Sequence, residues 1–158
     1  MKVRMSHAIV GVLLLASFAS AQQPASQPVA ASSGTDSHAT VYVYRYKQFV
    51  GKALSPSVYC DENELARMEN GRYFAVTLPA GQHVFRSNDK QAGVNLDLKP
   101  GEKYYIRVEI AAGFMKGHGR LVSVAPEQGS YEIKNLKPLD SDKVKDTEHV
   151  SVAEAQAK

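Results

Sequence analysis

A two-residue periodicity in residues 70–86, NGRYFAVTLPAGQHVFR, constrains the fold more than any other stretch of the chain. Apolar side chains occupy every second position of its first half at Phe74, Val76 and Leu78, which predicts a half-buried β-strand. The PAG sequence at positions 79–81 supplies turn residues, and the alternation then resumes. The pattern therefore predicts two strands joined by a tight turn into a hairpin, and it places no nucleophile, metal or cofactor.

The same periodicity marks most of the remaining domain. It recurs in residues 39–46, 94–98, 104–110 and 120–125. In residues 39–46 valines alternate with tyrosines, so both faces of that strand are apolar enough to be buried. A Lys-Pro-Gly sequence at positions 99–101 suits a type II turn and predicts a second hairpin. We therefore predict an all-β fold, a single antiparallel β-sandwich of about seven short strands. The predicted core residues are Val41, Val43, Phe74, Val76, Leu78, Leu96, Ile106 and Val108.

Three further segments have predicted local structures. Residues 57–68 are predicted to form a short hairpin about Glu62 and Asn63. A single helical turn is the alternative, because Asp61 and Glu64 have the spacing of a capping box. Residues 130–136 are predicted to form a short C-terminal helix capped by Ser130, and residues 48–56 a loop.

The first 21 residues have the pattern of an export signal. Basic side chains precede an apolar run of eleven residues, 8–18, and Ala19 and Ala21 form the small-x-small cleavage pattern before Gln22. The run is shorter than the roughly 20 residues that span a bilayer, and no second run follows it. A lipoprotein would carry a cysteine where Gln22 stands. We therefore expect an exported protein, periplasmic or extracellular, that is soluble after cleavage and has no transmembrane anchor.

Composition divides the rest of the chain into three parts. Residues 22–37, QQPASQPVAASSGTDS, contain no aromatic side chain and are predicted to be a flexible leader rich in Pro, Ser, Gln and Ala. Residues 38–139 are predicted to be the β-sandwich domain. Residues 140–158 contain acids and lysines without an aromatic and are predicted to be a flexible charged tail.

The charge balance argues against nucleic-acid binding. The chain has 19 Lys and Arg against 16 Asp and Glu, and removal of residues 1–21 leaves 17 basic side chains. No basic run interleaved with aromatics remains to contact a phosphate backbone. We therefore expect no nucleic-acid partner.

The residues capable of chemistry form no recognised motif. The single cysteine, Cys60, is predicted to be a buried small hydrophobic residue in a strand. The histidines match no metal-ligand spacing, and His83 is predicted to pack and hydrogen-bond locally. The sequence shows no recognisable pair of a catalytic nucleophile and its general base. The acidic residues near Glu62 are predicted to be turn residues. We expect no catalytic residues, no cofactor and no metal site.

Two groups of residues are candidates for binding. The tyrosines at positions 42, 44, 46, 73 and 105 would bind glycan or peptide if they shared an exposed face, whereas in the sandwich they would be core. The glycine-rich segment 114–120 carries Lys116, His118 and Arg120, which could surround a small anion. The alternative for that segment is a mobile hairpin loop. The candidate binding residues are Tyr42, Tyr44, Tyr46, Tyr73, Tyr105, Lys116, His118 and Arg120.

Several of these segments together resemble a known family. The sequences ATVYVYR, PSVYCDENELARMENGRYFAVTLPAGQHVF and LKPGEKYYIRV, within residues 39–124, are similar to a bacterial family of exported domains of unknown function, many of whose members are labelled lipoproteins. The resemblance rests on N-G-x-Y-F, P-x-G-x-H and a later G-x-x-Y-Y. It implies an all-β domain of the cell envelope with no established activity. This chain departs from the lipoproteins because it lacks their lipid-accepting cysteine.

These observations favour a non-enzymatic structural or protein-interaction module of the bacterial cell envelope. Its expected partner is an envelope protein or glycan that the sequence does not identify. The alternatives are a glycan- or peptide-binding module that uses exposed tyrosines, and an enzyme of unknown type.

Overall fold

The strands in the described part of the chain form two sheets. The computed structural model describes residues 37–88, 93–111 and 117–152. In sequence order the strands are β1 (His38–Tyr44), β2 (Ser57–Cys60), β3 (Asn63–Arg67), β4 (Arg72–Pro79), β5 (Gly81–Arg86), β6 (Val94–Leu98), β7 (Lys103–Ala111), β8 (His118–Val124), β9 (Lys137–Pro138) and β10 (Val150–Ser151). A helix, α1 (Pro126–Ile133), follows β8, and a 3₁₀ turn spans Ser141–Lys143.

Sheet 1 has the order β10-β4-β1-β7-β8, with β9 also paired to β4, and sheet 2 has the order β3-β2-β5-β6. One core cluster contains buried side chains from both sheets, so the predicted all-β sandwich-like fold with a short helix is confirmed. The prediction of a wholly antiparallel sandwich is wrong. Strand β1 runs parallel to β7, and β4 runs parallel to β9.

The two turns predicted to close hairpins instead carry the chain between the sheets. Strands β4 and β5 flank residue 80 but belong to sheets 1 and 2, and β6 and β7 are divided in the same way. The second turn has the predicted type II geometry, because Glu102 N–H donates to the Lys99 carbonyl at 3.2 Å and Gly101 has a φ of 75°. Alternation identifies a strand, but a tight turn can either pair two strands or send the second across the core.

The predicted hairpin in residues 57–68 is confirmed. Strands β2 and β3 pair antiparallel, and their turn lies at Asp61 and Glu62, one position earlier than predicted. Asp61 adopts a φ of 53°, a left-handed conformation that aspartate tolerates better than most residues. This conformation positions Asp61 beside the end of β2.

The core lies between the sheets where the alternation predicted it. Seven of the eight predicted core residues are buried, and Leu96 is half-buried and packs against them. The tyrosine face of β1 points to the other side of sheet 1, where α1 covers it. The tyrosine side chains of this second cluster are Tyr42, Tyr44, Tyr73 and Tyr105.

Helix α1 begins four residues before the predicted start. Pro126 stands in its first turn, where its fixed φ and missing N–H are tolerated, and Ser130 therefore lies inside the helix. The Ser130 hydroxyl donates to the Glu127 carbonyl at 2.9 Å and does not cap the helix. Gly129 and Ile133 face sheet 1 and are buried.

The predicted flexible tail is wrong for residues 140–152, which extend the domain. Strand β10 pairs antiparallel with β4, with Val150 opposite Val76. The backbone N–H groups of Lys145 and Asp146 donate to the Leu65 carbonyl of sheet 2 at 2.9 and 3.1 Å. Composition did not predict this, because the segment attaches through backbone hydrogen bonds as well as through Val144, Val150 and Val152, which pack against the core.

Several predictions lie outside the described residues. These are the signal and its cleavage residues Ala19, Ala21 and Gln22, the leader as far as residue 36, and residues 153–158. Within the described parts of the chain, no helix combines the length and apolar character that crossing a bilayer requires.

Candidate functional site

The five candidate tyrosines do not form an exposed platform. Tyr44, Tyr73 and Tyr105 are buried beneath α1, and Tyr42 and Tyr46 are half-buried. The Tyr42 ring stacks on that of Tyr105 with centroids 5.2 Å apart. The tyrosines therefore belong mainly to a second hydrophobic core, the cluster between sheet 1 and α1, because the helix covers the apolar face of the sheet on which they lie.

Polar groups at the rim of this second core connect α1 to sheet 1. The Tyr44 hydroxyl donates to Glu132, and the Arg107 guanidinium lies 3.3 Å from the same carboxylate and 2.8 Å from Glu109. Arg107 also lies 5.5 Å from the centroid of the Tyr46 ring. Burial favours a higher pKa for Glu132, but the hydrogen bonds from the tyrosines and the charge of Arg107 lower it overall.

The predicted anion-binding segment is only partly a loop. Lys116 lies outside the described residues, whereas His118 and Arg120 belong to β8. The exposed Arg120 guanidinium lies 3.4 Å from the Glu109 carboxylate. Arg120 therefore already faces an acidic side chain, which disfavours a second anion beside it.

Among the residues that the structure describes, the most exposed large apolar side chains lie on a different loop. Phe49 is 94% exposed and Val50 is 79% exposed. They occupy the centre of residues 47–52, KQFVGK, which we call the apolar loop. Lys47 and Lys52 at its two ends are exposed, and neither forms an ion pair with a described residue. The apolar loop therefore presents two hydrophobic side chains between two cationic ones.

A buried arginine holds the apolar loop in place. Arg45 at the end of β1 is fully buried, and its guanidinium donates to the Leu54 carbonyl at 2.5 Å and the Gly51 carbonyl at 2.7 Å. Burial lowers the pKa of Arg45. Among the described residues its Nε atom has no hydrogen-bond partner. The buried guanidinium therefore ties the backbone at the end of the apolar loop to the residue that follows β1.

Two further contacts restrict the apolar loop. Gln48 and Asn70 exchange hydrogen bonds, each 2.9 Å long, between the Gln48 backbone and the Asn70 amide. Gly51 has a φ of 71°, and a Cβ atom there would lie 3.1 Å from Ile110 Cγ2. The exposed tip is therefore displayed by a fixed backbone.

A second group of functional side chains meets at one end of sheet 2. Asp61 Oδ2 lies 2.9 Å from His83 Nδ1, and Cys60 Sγ lies 3.7 Å from that oxygen and 3.8 Å from that nitrogen. His83 Nε2 lies 3.0 Å from the Pro79 carbonyl, so His83 bonds locally as predicted. The three side chains have ligand atoms close enough together to hold a metal ion.

The environment of Cys60 determines its ordinary state. Cys60 is 3% exposed, which confirms the predicted burial. Burial, followed by the neighbouring Asp61 carboxylate, raises the pKa of the Cys60 thiol to about 12. The thiol therefore carries its proton at neutral pH unless a bound cation replaces that proton.

Comparison with known proteins identifies the family. The family described as "Protein of unknown function (DUF2846)" matches residues 35–120. The chain belongs to this family. The match agrees with the resemblance inferred from the strand and turn sequences in one respect, that the family is one of unknown function. It includes the apolar loop and the cluster of Cys60, Asp61 and His83, and it ends before α1.

A relative of this DUF2846 chain comes from Haemophilus influenzae and is described as an uncharacterized protein. It is 30% identical over 98 residues, which amount to 61% of this chain and 58% of the relative. The match therefore spans less than two thirds of the relative's length. No solved structure matches the chain.

Sequence analysis missed both groups for identifiable reasons. Residues 48–56 are predicted only to be a loop. The sequence feature that could have identified the apolar loop as a binding surface is an apolar pair between two lysines, without strand periodicity. The cluster had no such signal, because Cys60 and Asp61 are separated from His83 by more than 20 residues in no known ligand motif. Only the pairing of β2 with β5 brings them together.

Proposed function

We propose that the protein is an exported, non-enzymatic module that associates reversibly with the anionic membrane surface of the bacterial envelope through the apolar loop. The observation that supports this most is the fixed display of Phe49 and Val50 between Lys47 and Lys52. Export is supported by the signal pattern in residues 1–21. That the protein acts by binding is supported by the exposure of an apolar tip that the fold holds in place.

The chemistry of the apolar loop fits lipid better than a protein partner. Lysine is depleted at the centres of protein interfaces, whereas at a membrane its ammonium group contacts anionic headgroups while its methylenes contact the acyl boundary. Two protruding side chains also offer far less than the roughly 800 Å² per partner of a stable protein interface. The tip is therefore suited to shallow insertion.

The expected strength is modest. Full burial of Phe49 and Val50 would contribute about 3 to 6 kcal/mol, and each lysine near an anionic surface about 1 kcal/mol. Part of this gain is offset by the loss of translational and rotational freedom on binding. The association should therefore be reversible and sensitive to salt.

The test begins with the processed protein, since an uncleaved signal would itself bind lipid. Mass spectrometry of the exported chain should find Gln22 at the N-terminus, and an intact Met1 would contradict export. The processed chain should then co-sediment with vesicles of phosphatidylglycerol and phosphatidylethanolamine. It should bind vesicles of phosphatidylcholine alone more weakly.

Two pairs of substitutions distinguish the contribution of the apolar side chains to vesicle binding from that of the lysines. The double change Phe49→Ser and Val50→Ser should abolish sedimentation, and Lys47→Gln with Lys52→Gln should weaken it and remove its salt dependence. Tyr131→Ser is the matched control, because Tyr131 is 69% exposed on α1, away from the apolar loop in sequence. Absence of vesicle binding by the folded wild type would overturn the proposal. Capture of one envelope protein through Phe49 in that case would favour a protein partner.

A further inference from the structure

We propose that Cys60, Asp61 and His83 form a binding site for a borderline-soft divalent transition-metal ion, with Zn²⁺ as the best fit. This site is separate from the apolar loop and goes beyond the proposed membrane association. It rests on the positions of three ligand atoms and on the groups that orient them.

The spacing of the ligand atoms fits a metal ion between them. Usual Zn–S, Zn–N and Zn–O bond lengths at tetrahedral angles place the ligand atoms roughly 3.3 to 3.6 Å apart. The separations are 3.7 Å from Cys60 Sγ to Asp61 Oδ2, 3.8 Å from Sγ to His83 Nδ1, and 2.9 Å between Oδ2 and Nδ1. The two sulfur distances lie slightly above the expected range and the oxygen–nitrogen distance lies below it, so a bound ion would require rotation of the side chains to complete the geometry.

Supporting hydrogen bonds orient two of the three ligands. His83 Nε2 lies 3.0 Å from the Pro79 carbonyl, and when that nitrogen carries the proton, Nδ1 of the neutral ring presents its lone pair to the site. The other carboxylate oxygen of Asp61 accepts from the Val84 N–H at 2.9 Å, which leaves Oδ2 directed at Cys60 and His83. This arrangement matches the outer shell that commonly accompanies metal-bound histidine and carboxylate.

The ligand types select the class of ion. A thiolate with an imidazole and one carboxylate suits zinc and similar ions better than Ca²⁺ or Mg²⁺, which prefer oxygen ligands alone. Binding replaces the proton of the Cys60 thiol and any proton that His83 Nδ1 shares with Asp61, and these protons pass to solvent as the sulfur–metal and nitrogen–metal bonds form. The ion would thus be held by one sulfur, one nitrogen and one oxygen.

The position of the cluster leaves one side of the site open. The Asp61 side chain is 49% exposed and that of His83 is 15% exposed, whereas Cys60 lies in the core. Three protein ligands leave a fourth tetrahedral position for another ligand. Because Asp61 is the most exposed of the three residues, this position would face solvent. A water molecule or a ligand atom from another molecule would occupy it.

Cobalt is the direct probe, because Co²⁺ replaces Zn²⁺ and its bond to a thiolate has a characteristic near-ultraviolet absorption. The processed protein, reduced and treated with chelator, is titrated with Co²⁺ and then with Zn²⁺. We expect one equivalent of Co²⁺ to produce the sulfur-to-cobalt band and Zn²⁺ to remove it. Absence of this band in folded wild-type protein would overturn the assignment, even if histidines on the surface bind cobalt weakly.

The variants test each ligand. Cys60→Ala should lose the sulfur-to-cobalt band, and Asp61→Asn should weaken binding by more than roughly tenfold. Asparagine tolerates the φ of 53° and still accepts from Val84, so this second variant keeps the test valid if Cys60→Ala does not fold. His38→Asn is the matched control, because His38 is an exposed histidine of β1 in sheet 1, and its Nδ1 lies 3.1 Å from the Ser37 hydroxyl. Wild-type affinity in Asp61→Asn, or a wild-type band in folded Cys60→Ala, would contradict the site.

Discussion

The fully buried guanidinium of Arg45 donates a 2.7 Å hydrogen bond to the carbonyl of Gly51, at the tip of the apolar loop. A buried arginine usually faces a carboxylate, but the Arg45 guanidinium donates instead to the carbonyls of Gly51 and Leu54. The charged guanidinium therefore serves as a hydrogen-bond donor to backbone carbonyl groups in and next to the apolar loop. This relationship links the core of the sandwich directly to the exposed side chains of Phe49 and Val50.

Replacing Arg45 should release the apolar loop. In Arg45→Met the two carbonyls lose their donors, which favours loop opening, while removal of a buried charge offsets much of the cost to global stability. We expect faster hydrogen exchange at the amides of Lys52 and Leu54 and weaker vesicle binding, with little change in the denaturation midpoint. The exposed Arg67→Met is the control. Unchanged exchange in Arg45→Met would show that the arginine does not hold the loop.

Truncation of Phe74 should test the core between the sheets. Phe74 is fully buried in β4, so Phe74→Ala removes apolar contacts and leaves a cavity. We expect a loss of about 3 to 5 kcal/mol in the free energy of unfolding, measured by denaturant titration. Val84→Ala, at a 42% exposed position, should cost much less. Equal effects of the two changes would contradict the assigned core.

The contact of α1 with sheet 1 should depend on the absence of a side chain at position 129. A Cβ atom on Gly129 would lie 2.3 Å from Tyr105 Cγ, so Gly129→Ala must displace the helix. The gain in helix propensity, about 1 kcal/mol, should be exceeded by the cost of the clash. We expect a net loss of stability and altered near-ultraviolet circular dichroism from the tyrosines. The change Lys134→Ala, at an exposed position that follows α1, removes no tyrosine and should preserve both. A more stable Gly129→Ala would refute the packing.

Stability should fall in acid partly through Glu132. Its pKa is lowered in the folded protein despite burial, because Tyr44, Tyr46 and Arg107 favour the carboxylate. Because the pKa of Glu132 is lower in the folded than in the unfolded protein, its carboxylate stabilises the fold at pH values above the unfolded pKa of 4.5. This stabilisation is lost as the pH falls through the folded pKa. Glu132→Gln should cost about 1 to 3 kcal/mol at neutral pH and flatten the acid decline. Glu148→Gln, on an exposed residue, is the control; an unchanged pH profile in Glu132→Gln would exclude this contribution.

The strands and their faces were predictable because burial imposes a period of two on any strand with one covered face. Val41 and Val43 follow this rule on the core face of β1, and Phe74 and Val76 follow it on β4. The tyrosines between the β1 valines indicated a second covered face, and α1 provides its cover. These properties depend on neighbours a few positions apart, which the sequence displays directly.

Pairing of the strands depended on contacts that local sequence does not contain. The turns at residues 79–81 and 99–101 have ordinary turn residues, yet each connects two sheets, because β5 and β6 pair with each other whereas β4 and β7 both pair with β1. Residues 140–152 likewise join the domain through backbone bonds to β4 and Leu65, which composition cannot register.

The sequence by itself determined the all-β class, the alternating core and the family to which the chain belongs. Only the tertiary structure decided that Cys60 and Asp61 meet His83, since β2 must pair with β5 before those atoms converge. Only the tertiary structure decided, too, that Arg45 is buried and that Phe49 is not. The reason is physical: periodicity records which side of a strand is covered, whereas a site is made by residues distant in sequence whose proximity exists only after the sheets have formed.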